Sequence, residues 1–459
     1  MIEEFEYSGV WWLPSDRDRR IPGRLRFSQR EGATLELDGS FTDDPEIKEM
    51  FNPAVVNGVS SNGVEITLHR CIGREWRSYH PADTYTSTLY AHEVFEGVHF
   101  ERHEDISFKY LSVSYSHLNE WLGVSGFDIR RENDGISIKY KTPDSIPVFI
   151  SSDLVLFIVF LTSYSPFALT KVDVNQQARI MIAPAQEKSF DEYRDIVHRI
   201  QDFLTLANME PVYPSFIQGE TESKREIVGG QVFYPKIKIF YQLAFSPQAP
   251  GRFEPLFAYK AISDKFESLL QNWFGKAKQL EPVYELYFGS IYNPHMYLQQ
   301  RFLCVAQALE SYHRRTMQNY ELPEDKHSRR ITEILEAVPT KYKKWLTRKL
   351  KYSYEPDLQR RLRELLDSQS AGISEFIGDR KSFIDKVVTT RNYLVHYDPG
   401  LEAKVAKGKE LHDITRRLKL IVEVCLLKEL GFSSNEVEVL LPAKYRDIRA
   451  KPPEGADWS

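Results

Sequence analysis

The feature that most constrains this 459-residue chain is a change of hydrophobic period along its length. From residue 1 to about 185, short runs such as RLRFSQ, ATLELDGSF, GVEITLHRC, STLYAHEVFEG, SFKYLSVSYS and DGISIKYK alternate apolar with polar residues and are broken by Gly, Asp and Asn. A period of two puts successive side chains on opposite faces, so these runs predict antiparallel strands. From about residue 255 the apolar residues recur three and four apart, in segments such as AYKAISDKFESLLQNWFGKA, HMYLQQRFLCVAQALESYHRRT, LQRRLRELLDS, SEFIGDRKSFIDKVVTTRNYLVHY and ELHDITRRLKLIVEVCLLKELGF. That spacing predicts amphipathic helices. The expected fold class is therefore α+β: a β-rich antiparallel domain over 1–185, a mixed α/β connecting region over 186–289, an all-α helical bundle over 290–445 and a loose tail over 446–459. Ser189 with Glu192 predicts a capping box opening a helix, and Gly431 a helix stop.

Length and charge narrow the class. A chain of this size exceeds what one core organises. Its formal net charge of −5 spreads no positive field over the molecule, so a nucleic-acid site has to be a local patch. Cys71, Cys304 and Cys425 are scattered and lack a CxxC pair, which excludes a cysteine zinc site and predicts a reducing, cytoplasmic setting. The acidic start MIEEFEYSGVWWLP is unlike the positive opening of a secretory signal. The longest apolar run, LVLFIVFL at 154–161, is too short to span a bilayer and predicts a buried strand, so no membrane association is expected. The chain contains nothing like a Walker A loop, a GxGxxG turn or a GxSxG elbow.

The stretch TTRNYLVHYDPG, residues 389–400, places Arg391, Asn392 and His396 within an otherwise apolar helix that stops at Asp-Pro-Gly. Asn392 and His396 are four residues apart and share a face, and the long Arg391 side chain can swing towards them. An imidazole can accept the 2′-hydroxyl proton of RNA or protonate the leaving 5′-oxygen. A guanidinium matches phosphate oxygens as a fork, and Asn392 can orient either group. No metal or other cofactor is required. The bland alternative is a histidine stabilised at a helix C-terminus. Arg74 and His80 in REWRSYH form a second match of similar spacing inside the β-rich half, so spacing alone does not decide.

On a helix of an all-α domain, RNYLVH resembles the RxxxxH motif of the HEPN superfamily, which commonly has Asn after Arg. The helix FLCVAQALESYHRR, followed by ITEIL and then RNYLVHYDPG, is similar to the HEPN domain of ApeA-type bacterial anti-phage defence proteins. The segment GVWWLPSDRDRRIPGRLRFSQREGATLELDGSF is similar to the start of their N-terminal domain. The resemblance implies a metal-independent endoribonuclease, a homodimer whose motifs face each other, and a phage-derived trigger acting in abortive infection. It also implies a sensing or regulatory role for the N-terminal region. Host tRNA is an expected substrate by analogy with related toxins. Glu310, in ALESYH, corresponds to an acidic position near the Arg, or is a solvated helix flank. A two-fold axis also has its own physical argument: two imidazoles allow one to act as base and the other as acid.

Basic runs between 329 and 365 place Arg329, Arg330, Lys341, Lys343, Lys344, Arg348, Lys349 and Lys351 in the same domain, a candidate RNA groove with Lys343, Lys344, Arg348 and Lys349 at its centre, or a solvated face. His92, His99 and His103 lie near carboxylates but lack HExxH spacing, so no metal site is expected. Trp11 and Trp12 before DRDRR read as a strand with buried aromatics leading into a charged turn, or as a stacking surface. Two other functions stay open: a non-catalytic HEPN dimer binding nucleic acid or protein, and a glycan-binding β-domain with a helical oligomerisation module.

Overall fold

The computed structural model describes residues 4–42, 51–79, 84–165, 169–229, 231–243, 254–320, 322–368 and 370–445. His80 and the tail expected at 446–459 lie outside the described residues, as does the side chain of Arg74. The chain is α+β, as its periodicities predict, and divides into two compact units, residues 1–271 and 272–459.

The first unit is built on antiparallel pairing. Strands β1 (Glu4–Leu13), β2 (Asp16–Ser28), β3 (Gly32–Leu37), β4 (Val55–Ser60), β5 (Glu65–Tyr79) and β6 (Thr84–Glu96) pair in the order β6-β3-β2-β1-β4-β5, and β5 pairs again with β6, closing a barrel. Alternation fills its interior with Trp11, Leu25, Phe27, Leu35, Val56, Leu68 and Val94. Trp11 faces Gly58 across the β1–β4 pair, and a Cβ at Gly58 would run into the indole. Glycine therefore makes the space that the largest core residue fills. Trp12 is buried too, with the Arg20 guanidinium 4.8 Å from its ring, so this tryptophan pair belongs to the barrel wall.

Past Ala91, β6 leaves β3 and takes a new neighbour, strand Ile237–Tyr241, through which the sheet continues to strands 214–220, 110–115, 174–184, 154–164 and 146–151. The helix Phe190–Asn208 opens with the expected box: the Ser189 side chain accepts from the Glu192 N–H, while the Glu192 carboxylate accepts from the Ser189 N–H. Tyr115 donates its hydroxyl to the Val197 carbonyl at 3.0 Å, tying that helix to the sheet. One expectation needs correcting. The run at 154–161 buries Leu156, Ile158 and Phe160, but Leu161 is exposed and the intervening residues are half-buried. An antiparallel sheet covered on one face buries alternate residues even of a wholly apolar run.

The second unit is helical. The helix Gly408–Leu430 forms its centre, with Leu418, Ile421, Val422, Cys425 and Leu426 buried. It ends at Gly431 in the left-handed conformation, φ 110°, as expected for that residue. Its buried Glu423 accepts hydrogen bonds from the hydroxyls of Tyr287, at 2.5 Å, and Tyr445. The segment 374–397 carries one helical pattern yet forms two helices, Ser370–Ile377 and Arg380–His396, because Gly378 turns left-handed (φ 71°) and Asp379 caps the second helix by accepting from the Ser382 N–H. The helix Ala277–Tyr292, in the stretch expected to be mixed α/β, buries Leu280, Val283, Tyr284, Tyr287 and Phe288 at helical spacing and carries Pro282 in its interior. Cys71 and Cys425 are buried and Cys304 half-buried, all as free thiols. Among the described residues no helix is long and apolar enough to cross a membrane.

Candidate functional site

The helix Arg380–His396 buries Phe383, Ile384, Val387 and Thr390. The Thr390 hydroxyl accepts from the Ala406 N–H at 3.1 Å, which fastens the returning loop to the helix. Beyond Thr390 the helix leaves the core: Arg391 to Leu394 are half-buried, whereas Val395 and His396 are exposed. Tyr397 closes the helix in the left-handed region (φ 52°), and the Asp398 carboxylate accepts from the Gly400 N–H at 2.9 Å. The Tyr-Asp-Pro-Gly stop is thus a local cap that leaves the imidazole in the last turn, open to solvent.

The structure brings three of the sequence-derived residues together. Arg391 Nη2 lies 3.4 Å from Glu310 Oε2 on the helix Leu298–Thr316, and Arg391 Nη1 lies 3.4 Å from Asn392 Oδ1. His396 follows Asn392 by four residues on the same helix face, about 6 Å of helical rise. Among the described residues its ring has no hydrogen-bond partner.

Beneath Glu310 lies a buried polar network that the periodicity did not signal. His313, on the same helix, is fully buried between two groups: Arg361 Nη1 at 3.1 Å from its Nδ1 and Glu364 Oε2 at 2.7 Å from its Nε2. A guanidinium can only donate, so Nδ1 is the acceptor and Nε2–H donates to the carboxylate, which fixes the neutral tautomer. Burial pushes the imidazole pKa below 6.5; Glu364 opposes this and Arg361 reinforces it. Arg361 is itself buried and donates to the Pro356 carbonyl and to Glu355, which also pairs with Arg314. Burial alone would raise the Glu364 pKa, but its hydrogen bonds to Arg360 and His313 outweigh that and hold the carboxyl below its ordinary value. The network locks the helix Leu358–Ser368 to the one that carries Glu310.

Lys344, Arg348 and Lys349 are exposed and Lys343 half-buried on the helix Thr340–Leu350; none of the four is paired with a carboxylate among the described residues. Arg329 and Arg330 lie on the preceding helix, Glu324–Ala337.

The first unit disperses the three histidines singled out above. His92 packs on Tyr90, His99 Nε2 lies 2.9 Å from the Gly58 carbonyl, and His103 Nδ1 lies 2.8 Å from His69 Nε2. His69, which no motif marked, is buried; its Nδ1 lies 2.9 Å from Glu93 Oε2. The His69 and His103 rings are nearly coplanar (10°) with centroids 5.0 Å apart, the arrangement of an end-on hydrogen bond. Arg70 and Arg194 flank Glu93 at 3.5 and 3.3 Å. Among the described residues no group of histidine, cysteine and carboxylate side chains is arranged to hold a metal ion.

Residues 6–273 match the family described as ApeA N-terminal domain 1, and residues 303–436 match the family described as Apea-like HEPN. No curated protein and no solved structure matches the chain.

Proposed function

The chain belongs to the ApeA family and carries an ApeA-like HEPN domain, and from that premise we propose that it is a defence protein whose helical unit cleaves RNA without a metal ion. The observation that carries this reading is the placement of Arg391 and His396 on the last two turns of one helix, the guanidinium steadied by Glu310 and the imidazole open to solvent.

The chemistry is transesterification. The substrate 2′-oxygen attacks phosphorus, the bond from phosphorus to the 5′-oxygen breaks, and the ends left are a 2′,3′-cyclic phosphate and a 5′-hydroxyl. One imidazole takes the 2′-hydroxyl proton and a second returns a proton to the leaving 5′-oxygen, each such step worth roughly 10²- to 10⁴-fold. A single chain presents one His396, so the site is complete in a homodimer with two motif helices facing each other. Arg391 holds the phosphate; a guanidinium has five donors, and the contacts with Glu310 and Asn392 leave others for phosphate oxygens. Asn392 orients the guanidinium, and the cations of the helix Thr340–Leu350 attract the RNA backbone. Host tRNA is the proposed target, released cleavage arrests the infected cell, and the β-rich unit senses the trigger.

Incubating total cellular RNA with purified protein in EDTA tests this reading, with wild type compared against His396→Ala after matching fold and oligomeric state. Cleavage by wild type alone, leaving cyclic phosphate ends, is the expected result. RNA bound but uncut by both proteins, with or without an added phage lysate, would instead make the domain a binding module.

A further inference from the structure

The helices Glu324–Ala337 and Thr340–Leu350 form a pair in which no residue is buried. On the second helix Trp345 is 53% exposed and Tyr342 47%. That helix, TKYKKWLTRKL, contains five Lys and Arg residues and no carboxylate, in a chain whose formal net charge is −5. Helical spacing rings the indole with these charges: Lys341 lies four residues before Trp345, Arg348 three after and Lys349 four after, all within one turn. The Lys341 ammonium already sits 4.8 Å from the centroid of the Tyr342 ring.

We propose that the helix Thr340–Leu350 is a stacking platform for unpaired bases, in which Trp345 and Tyr342 take the base faces while Lys341, Lys344, Arg348 and Lys349 track the phosphates. The inference rests on the RNA reading above and adds the class of substrate: RNA presenting a single-stranded segment. Exposed aromatic rings among cations are the elements with which proteins hold single strands, since every base has a face to stack and every linkage a charge to neutralise. A lipid surface is a poorer match. Membrane-lying helices present a broad apolar face, whereas Leu346 and Leu350 here are half-buried and the exposed remainder is aromatic and cationic. The platform is also rooted beside the candidate site. Glu355, just beyond the helix pair, holds Arg314 and Arg361, and Arg314 is four residues from Glu310 on one helix.

The test is fluorescence anisotropy in EDTA on full-length His396→Ala protein, with a labelled oligouridylate and a blunt RNA duplex as probes. Base stacking contributes about 1–3 kcal/mol per base, so Trp345→Ala should weaken oligouridylate binding by roughly 10-fold or more. Trp345→Phe should keep most of the affinity, and the duplex should respond to neither. Lys344→Gln with Arg348→Gln should weaken both probes and flatten the salt dependence. Unchanged oligouridylate affinity in Trp345→Ala overturns the proposal, as does an equal loss for duplex, a parent His396→Ala protein that binds no RNA, or binding to anionic vesicles in its place. A Trp345→Ala protein with altered sedimentation reassigns the face to a second copy of the chain. Cleavage is read separately with His396 intact: Trp345-dependent binding together with no cleavage by that protein removes the nuclease reading and keeps the platform. Cleavage with Trp345-indifferent binding does the reverse.

Discussion

Arg391 and Glu310, 81 residues apart in the chain, meet at 3.4 Å between Nη2 and Oε2 and join the motif helix to the helix Leu298–Thr316. Both side chains are partly exposed, so the pair contributes less than about 1 kcal/mol to stability, and its consequence falls on orientation.

Glu310→Gln should therefore leave the unfolding temperature nearly unchanged while lowering RNA cleavage by about 10-fold, as the fork loses its fixed direction. Arg391→Lys should reduce cleavage further, because a point charge does not reproduce the planar fork. Single-turnover cleavage beside thermal unfolding separates the two effects on the proposed activity; a Glu310→Gln protein that cleaves as well as the parent would show that the contact is incidental.

The buried network under Glu310 predicts an acid-sensitive fold. The pKa of His313 is below 6.5 in the folded protein, so as pH falls below 6.5 the unfolded chain takes up a proton that the folded one refuses, and stability drops. Glu364, depressed in the folded state, adds stability above its unfolded pKa that is lost at still lower pH. Both act in the same direction. Denaturant unfolding followed from pH 7 to pH 5 should show stability falling, by at most about 1.4 kcal/mol per pH unit from one histidine. His313→Gln should flatten that slope; an unaltered slope would assign the sensitivity elsewhere.

In the barrel, Gly58→Ala drives a methyl group into Trp11. Overpacking of this kind costs typically 1–3 kcal/mol, occasionally more. Differential scanning calorimetry should show the first unit melting earlier with the second unchanged. Restoring the loss with Trp11→Phe in the same chain would confirm the clash as its cause.

Glu93 is buried against His69, Arg70 and Arg194; Asp191 still pairs with both arginines, so Glu93→Ala chiefly leaves the buried His69 Nδ1 without its partner and should cost about 1–3 kcal/mol. His103 is exposed and reaches only the outer end of this chain of contacts, so His103→Ala should cost less than about 1 kcal/mol. Equal losses in urea unfolding would mean that His103 is as much a part of the buried support as Glu93.

Local chemistry, which the sequence carries by itself, determined the α+β division, the Ser189 and Glu192 cap, the Gly431 stop and the position of Arg391, Asn392 and His396 on a helix ending at Tyr-Asp-Pro-Gly. Each depends on side chains within a few residues of one another, and the 3.6 and 2.0 periods report which face is buried. They do not report what it is buried against. Only the tertiary structure closed the barrel by pairing β5 with β6, brought Glu310 to Arg391, set His313 between Arg361 and Glu364, and lined His69 up with Glu93 and His103. A buried polar residue occupies an apolar face and interrupts its pattern without naming its partner. His313 and Arg361 are 48 residues apart, and their contact is specified by packing of whole helices rather than by any spacing along the chain.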